Sequence, residues 1–134
     1  MKSPSQGVKE IEAMYDKAFA KFVINTQTKL SKSSPVDTAR LAASWAIGQG
    51  KPNPYVPPER ENKGSEQPPQ FTGKITMDGN WYVSSNLPYT VRVAYDPIWG
   101  KNGRRGGPAW FTNVTDNMGK DYDRILSAEL RLIS

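Results

Sequence analysis

The chain has 134 residues, a formal net charge of +5, and neither cysteine nor histidine. These absences exclude disulfides, thiolate or imidazole metal sites, and a Ser-His-Asp catalytic relay. The length is that of one domain, residues 1–134. Since no apolar run approaches the roughly 20 residues of a membrane helix, and the N-terminus lacks a signal-peptide core, we expect a soluble protein made in a cytoplasm.

The N-terminal segment has the periodicity of an amphipathic helix from Val8 to about Leu30. About 23 residues at 1.5 Å each make a helix roughly 35 Å long. Such a helix extends past a small sheet, so its apolar stripe is expected to continue into a partner. The stripe comprises Val8, Ile11, Tyr15, Ala18, Phe19, Phe22, Val23, Thr26 and Leu30.

A second, shorter helix is predicted to begin after Ser34. Ser34 can cap this helix, Pro35 suits its first position, and Asp37 can return a hydrogen bond to the cap. The helix continues to Ser44, and the chain then turns into a strand that ends at Gly48.

Residues 49–70 contain six of the 11 prolines. Because proline cannot donate a backbone hydrogen bond and disrupts helices, this segment is predicted to be an extended loop. Two interpretations stay open, namely a mobile insertion and an arm that becomes ordered on a neighbouring subunit. The docking residues of such an arm would be Tyr55, Val56, Pro57 and Pro58.

Residues 71–86 have the pattern of a β-hairpin. Asp78-Gly79 is a favoured pair for a two-residue turn, with residues 71–77 and 80–86 as the strands. This turn would place Ile75 opposite Tyr82. Apolar residues would then lie on both faces of the sheet, which indicates helices on one side and another chain on the other.

The region after the hairpin is predicted to be a short helix or strand over residues 88–95 and a basic, glycine-rich loop over residues 96–108. The loop lacks the spacing of a nucleotide-binding loop. It is either a solvated loop or a contact with a partner or with DNA phosphates. Its aromatic and basic residues are Trp99, Lys101, Arg104 and Arg105.

Residues 109–133 are predicted to form a second long helix, interrupted mildly at Gly119. Asp121 is assigned to a polar face of this helix. The predicted apolar stripe contains Trp110, Val114, Met118, Tyr122, Ile125 and Leu126, followed by Leu130 or Ile133.

The carboxylates show no pattern of catalytic chemistry. No pair has neighbours that would raise the pKa of one carboxyl and not the other, and none converge as metal ligands. We therefore expect no catalytic residues, no metal, no cofactor and no enzymatic activity. The predicted fold is α+β, with a long N-terminal helix and a C-terminal helix packed on a small antiparallel sheet, and with a long proline-rich loop insertion.

The segment from Ser34 to Trp45, Ser-Pro-Val-Asp-Thr-Ala-Arg-Leu-Ala-Ala-Ser-Trp, resembles the tail-completion, or neck, proteins of tailed double-stranded-DNA bacteriophages. That family commonly has Ser or Thr, Pro-Val-Asp-Thr-Gly, then a Leu and a Ser three positions apart, after an amphipathic helix. Looser likenesses follow at residues 85–96 and 107–111. Ala39 stands at the family's usual glycine, and Ala94 and Asp96 at its usual glutamate and glycine. The matching positions are Pro35, Val36, Asp37, Thr38, Leu41, Ser44, Asn86 and Tyr89.

The resemblance implies a structural virion protein that completes the tail and joins it to the head. Its partners would be copies of itself in a ring, expected to be hexameric, the adaptor or portal-side proteins, and the tail tube or its terminator. DNA would pass through the lumen as a non-specific passenger, and no membrane would be involved. The protein would be made in the host bacterial cytoplasm.

In such a ring, Trp99, Arg104 and Arg105, with Lys101 beside them, are expected to contact a subunit or partner or to face the lumen. Two other interpretations stay open. One is a tail-tube terminator, a related structural role. The other is a small non-specific nucleic-acid-binding module, which the charge of +5 favours.

Overall fold

The computed structural model describes residues 4–34, 40–57, 67–87, 90 and 109–133. This part of the chain has an α+β fold with two long helical regions and a small antiparallel sheet, as predicted. Its elements are α1 (Pro4–Ser33), α2 (Arg40–Ser44), β1 (Ala46–Gln49), β2 (Trp81–Ser84), α3 (Ala109–Asp116) and α4 (Met118–Ile133). Among these helices, none is both long and apolar enough to cross a bilayer.

Helix α1 is longer than predicted and runs antiparallel to α4. Lys29 of α1 pairs with Asp121 near the start of α4, and Lys21 pairs with Glu129 near its end. Helix α4 therefore lies along the C-terminal part of α1. The stripe of α1 is buried there at Ala18, Val23, Thr26 and Leu30.

The sheet consists of β1 paired with β2, with Ile47 opposite Val83 and Gln49 opposite Trp81. The predicted hairpin of residues 71–77 with 80–86 is therefore wrong. The partner of β2 comes from the chain after α2. The amide of Gly50 donates to the carbonyl of Asn80 at 2.8 Å, which extends the same pairing by one residue.

Residues 71–77 form an irregular segment that packs on the sheet and on α1. Ile75 is buried with Val23 and Ile47, and the ring of Phe71 meets Trp81 edge-on at 5.4 Å. The core thus takes up these apolar side chains directly, and a strand pairing with β2 is not needed to bury them. Gly79 has a φ of 80°, so it does occupy the left-handed conformation that a turn here requires.

A second part of the core lies around Trp45, which joins α2 to β1. Trp45 packs with Leu30 and Val114, and Phe111 stacks on its ring with centroids 6.3 Å apart. The adjoining cluster of Leu41 and Leu87 lies beside Trp110. Helix α3 is therefore packed on the junction between α2 and the sheet.

The C-terminal helical region is broken at Asn117, between α3 and α4, and not at Gly119, which lies exposed inside α4. The Asn117 side-chain amide donates to the carbonyl of Asn113 at 2.6 Å. Asparagine competes for backbone groups in this way and favours helix ends, which accounts for the position of the break.

Candidate interaction surface

The family-like residues that the structure describes meet at the junction of α2 with the sheet. Ser44 is fully buried, and its hydroxyl donates to the carbonyl of Leu41 at 2.6 Å. It lies 2.6 Å from the hydroxyl of Ser85, which lies 2.8 Å from that of Thr90. Because each hydroxyl has one proton, all three contacts are satisfied when Thr90 donates to Ser85 and Ser85 donates to Ser44.

Asn86 and the neighbouring residues connect the same junction to the start of the proline-rich segment. The Asn86 side-chain amide donates to the carbonyl of Pro54 at 3.2 Å, and Leu87 is buried against Leu41. The described residues of the two stretches of resemblance, 40–45 and 85–87 with Thr90, are thus brought together in space. Pro35, Val36, Asp37, Thr38 and Tyr89 lie outside the described residues.

The predicted docking arm is attached to the body of the protein at both ends. On the first side, the amide of Asn53 donates to the carbonyl of Ile47 at 3.1 Å. On the second side, the buried Gln27 donates to the carbonyls of Trp45 and Pro69, at 2.9 and 3.0 Å. The arm is therefore fixed at its two bases.

Within the arm, Tyr55 is half-buried, Val56 is exposed and Pro57 is buried. Pro58 belongs to residues 58–66, outside the described part. The chain also passes close to the sheet here, since a Cβ on Gly48 would lie 2.3 Å from the carbonyl oxygen of Lys51. Glycine is required at position 48 by this approach. The docking role of the arm stays a prediction.

The basic loop lies outside the described residues, and with it Trp99, Lys101, Arg104 and Arg105. Their predicted contact with a partner, subunit or lumen stays a prediction. The residues just after the loop are described. Trp110 and Phe111 lie in the first turn of α3 and pack around Trp45.

Two carboxylates on the face of α4 that packs against α1 have structural roles that the sequence did not predict. The ammonium group of Lys29 donates to both carboxylate oxygens of Asp121, at 2.7 and 2.6 Å. Asp121 is buried, so its assignment to a polar face of the helix is wrong. Glu129 is 3% exposed and binds Lys21. The sequence holds part of the signal, because both carboxylates are spaced four residues from Ile125, and Lys17, Lys21 and Lys29 are spaced by multiples of four. The sequence does not show that the two long helices pair. In the described part of the chain, the acidic residues form no group of three that could hold a metal ion.

An apolar surface remains at the N-terminal half of α1, which we call the overhang and define as residues 4–16. The exposed fractions are 54% for Val8, 47% for Ile11 and 39% for Tyr15. These three residues begin the stripe that further along α1 enters the core. A large exposed apolar patch is typical of an interaction site.

An apolar cavity of about 400 Å³ lies between α1, the sheet and α3. We call it the aromatic cavity, because five of its lining side chains are aromatic. Ser85 and Thr90 add two polar residues to its lining. Its described lining consists of Phe19, Phe22, Val23, Thr26, Leu30, Trp45, Trp81, Val83, Ser85, Thr90, Phe111, Thr115 and Met118.

Comparison of the chain with known protein families, curated proteins and solved structures finds no match in any of the three.

Proposed function

We propose that this chain is a structural virion protein of a tailed bacteriophage, a tail-completion protein that forms part of the neck and joins the tail to the head. The proposal includes self-association into a ring and contacts with head-side adaptor and tail-side proteins. DNA passes through this ring as a non-specific passenger.

The observation that carries the proposal is the meeting of the two family-like stretches. Ser44 and Ser85 are in hydrogen-bond contact, and Leu41 packs against Leu87. These contacts place described residues of both stretches at one packed junction. Their packing supports an architecture shared with the family that the sequence resembles, in which this junction would be the common element.

The exposed apolar overhang gives independent support for a role in assembly. Val8, Ile11 and Tyr15 expose apolar area at spacings of three and four residues, which is the geometry of a helix face that another surface covers. A protein that works by assembly is expected to carry such unpartnered surfaces.

The test is restoration of head–tail joining. Deletion of the gene from the virus that encodes it should produce DNA-filled heads and separate tails in electron micrographs. Addition of the purified protein to that lysate should restore joined, infectious particles. Joined particles in the deletion strain would contradict the proposal.

A charge-reversal variant extends this test to the basic loop. R104E/R105E should fail to restore joining while keeping the unfolding temperature of the original protein. The matched control is K74E/K120E, which makes the same change of charge at two exposed lysines. Salt-sensitive DNA binding by the isolated protein, together with normal particles from the deletion strain, would instead favour the nucleic-acid-binding module.

A further inference from the structure

The first part of the overhang, around Val8 and Ile11, is the uncovered continuation of a core-facing stripe. The end of the overhang is covered, since Met14 is buried and Asp16 accepts a hydrogen bond from the Met77 amide. From Ala18 onwards the stripe is covered by the sheet, α3 and α4, and Ala18, Val23 and Leu30 are at most 5% exposed. Before Ala18, Val8 and Ile11 are about half exposed. The first ten residues of α1 span about 15 Å, enough to lie across the surface of another molecule.

The aromatic cavity is large enough to bind apolar side chains of such a stripe. A cavity of about 150 Å³ lined by apolar side chains is large enough to bind benzene. The volume of about 400 Å³ found here therefore has room for more than one aliphatic side chain. The lining is mostly aromatic and aliphatic, which matches Val8 and Ile11 chemically.

Charge on α1 favours contact between the overhang of one copy and the remainder of another. The overhang has one lysine and three carboxylates, a net charge of −2, so the rest of the +5 chain carries +7. The second half of α1, residues 17–33, has four lysines and no carboxylate. Three of these lysines pair with Glu129 and Asp121 of α4 in the same copy, so the four lysines and these two carboxylates together carry a net charge of +2. Two overhangs placed side by side would repel, whereas an overhang beside the second half of α1 is attracted to it.

We propose that the overhang of one copy docks head to tail on a second copy, with Val8 and Ile11 seated at the aromatic cavity of that copy. This inference rests on the self-association contained in the proposed function, and it names the two surfaces involved. Because the two surfaces differ, each copy binds one neighbour through its overhang and another through its cavity. Contacts of this kind generate a ring when the rotation between copies closes.

The first experiment compares V8Q/I11Q with the control I24Q by sedimentation velocity over a series of concentrations. Ile24 is 49% exposed on the same helix, close to the 47% of Ile11, but lies outside the stripe. V8Q/I11Q should raise the dissociation constant of self-association at least about tenfold, and I24Q should leave it unchanged. Equal association of V8Q/I11Q and the original chain would overturn the inference.

A mixing experiment tests the head-to-tail arrangement itself. T115W fills the cavity from α3 while keeping its own overhang, and M118K serves as a second cavity variant if T115W unfolds at a lower temperature. Mixed one to one with V8Q/I11Q, either cavity variant should give a heterodimer and no larger species, because only one intact interface remains. Absence of the heterodimer overturns the inference.

The outcomes separate this inference from the proposed function. If V8Q/I11Q self-associates normally, the overhang is not the contact between copies. The purified protein can still restore head–tail joining in that case, so the proposed function is not affected. If the original chain remains monomeric up to about 1 mM, the proposed self-association is refuted. The joining assay then decides independently whether the protein acts in the neck.

Discussion

Lys21 and Glu129 lie 108 positions apart in the sequence and form an ion pair that joins the first helix to the last. The Glu129 side chain is 4% exposed, and Lys17 lies 3.7 Å from its second oxygen. The hydrogen bond from Lys21 lowers the pKa of Glu129 below its ordinary value of 4.5. Burial of the carboxylate acts in the opposite direction, and the positive charges of Lys17 and Lys21 add to the lowering of the pKa. The charged form of this carboxylate is therefore favoured in the folded protein.

The first prediction is a specific acid sensitivity due to Glu129. A carboxyl whose pKa is lowered by folding adds stability above its unfolded value of 4.5, and this stability is lost as the pH falls through the lower folded value. E129Q should be less stable than the original chain at pH 7, and the difference should shrink steadily below pH 4.5.

Urea unfolding at several pH values between 7 and 3 measures this difference. The control is D123N, which changes an exposed carboxylate on the same helix. A stability difference between E129Q and the original chain that stays constant over the whole range would contradict the role of Glu129.

The second prediction concerns the buried hydroxyl of Ser44. S44A removes the link between the carbonyl of Leu41 and the hydroxyl of Ser85. Because buried polar groups then lose partners, the free energy of unfolding should fall by about 1–2 kcal/mol. S127A, at an exposed serine of α4, should change it by less than about 0.5 kcal/mol. Equal unfolding midpoints in urea for the two variants would refute this account of Ser44.

The third prediction concerns Gln27, which holds the end of the proline-rich segment. Q27L leaves the carbonyls of Trp45 and Pro69 without their donor, so the free energy of unfolding should fall by about 2 kcal/mol. Limited proteolysis should also become faster at residues 67–70. The control T28A alters the exposed neighbour of Gln27. Unchanged proteolysis in Q27L would mean that another contact fixes Pro69.

The fourth prediction is that the two ends of the arm stabilise the fold, whereas residues 58–66 at its centre act in head–tail joining. Replacement of residues 58–66 by a glycine-serine segment of equal length keeps the contacts of Asn53, Asn86 and Pro69. The unfolding temperature should then stay within about 3 °C of the original, while head–tail joining becomes weaker. Deletion of residues 50–70 should instead lower the stability by more than about 2 kcal/mol, because it removes those contacts. Full joining activity in the replacement variant would indicate a tolerated insertion.

The long helices could be predicted from sequence because their signal is periodic and local. In the predicted stripe of α1 from Ala18 to Leu30, four positions are buried and two, Phe19 and Phe22, are half-buried. The exposed beginning of the stripe at Val8 and Ile11 agrees with a helix that extends past the sheet. The strand after Trp45 was also predicted correctly, although it continues to Gln49.

The strand pairing could not be predicted because it is a long-range choice. Asp78-Gly79 is a strong local turn signal, but the partner of β2 is β1, more than 30 residues earlier in the chain. Burial of Ile75 against Val23 and Ile47 competes with formation of the local hairpin. Sequence patterns alone do not show which of the two has the more favourable free energy. The position of Asp121 was missed for a related reason, since its partner Lys29 lies on the other long helix.

The central claim is that this chain functions through contacts with its own copies and with virion proteins. The most direct test of this claim is electron microscopy of the separate tails purified from a lysate of the deletion strain. After addition of the purified chain, we predict a ring of added density at one end of each tail. Tails that stay bare at every concentration of folded protein would contradict the account.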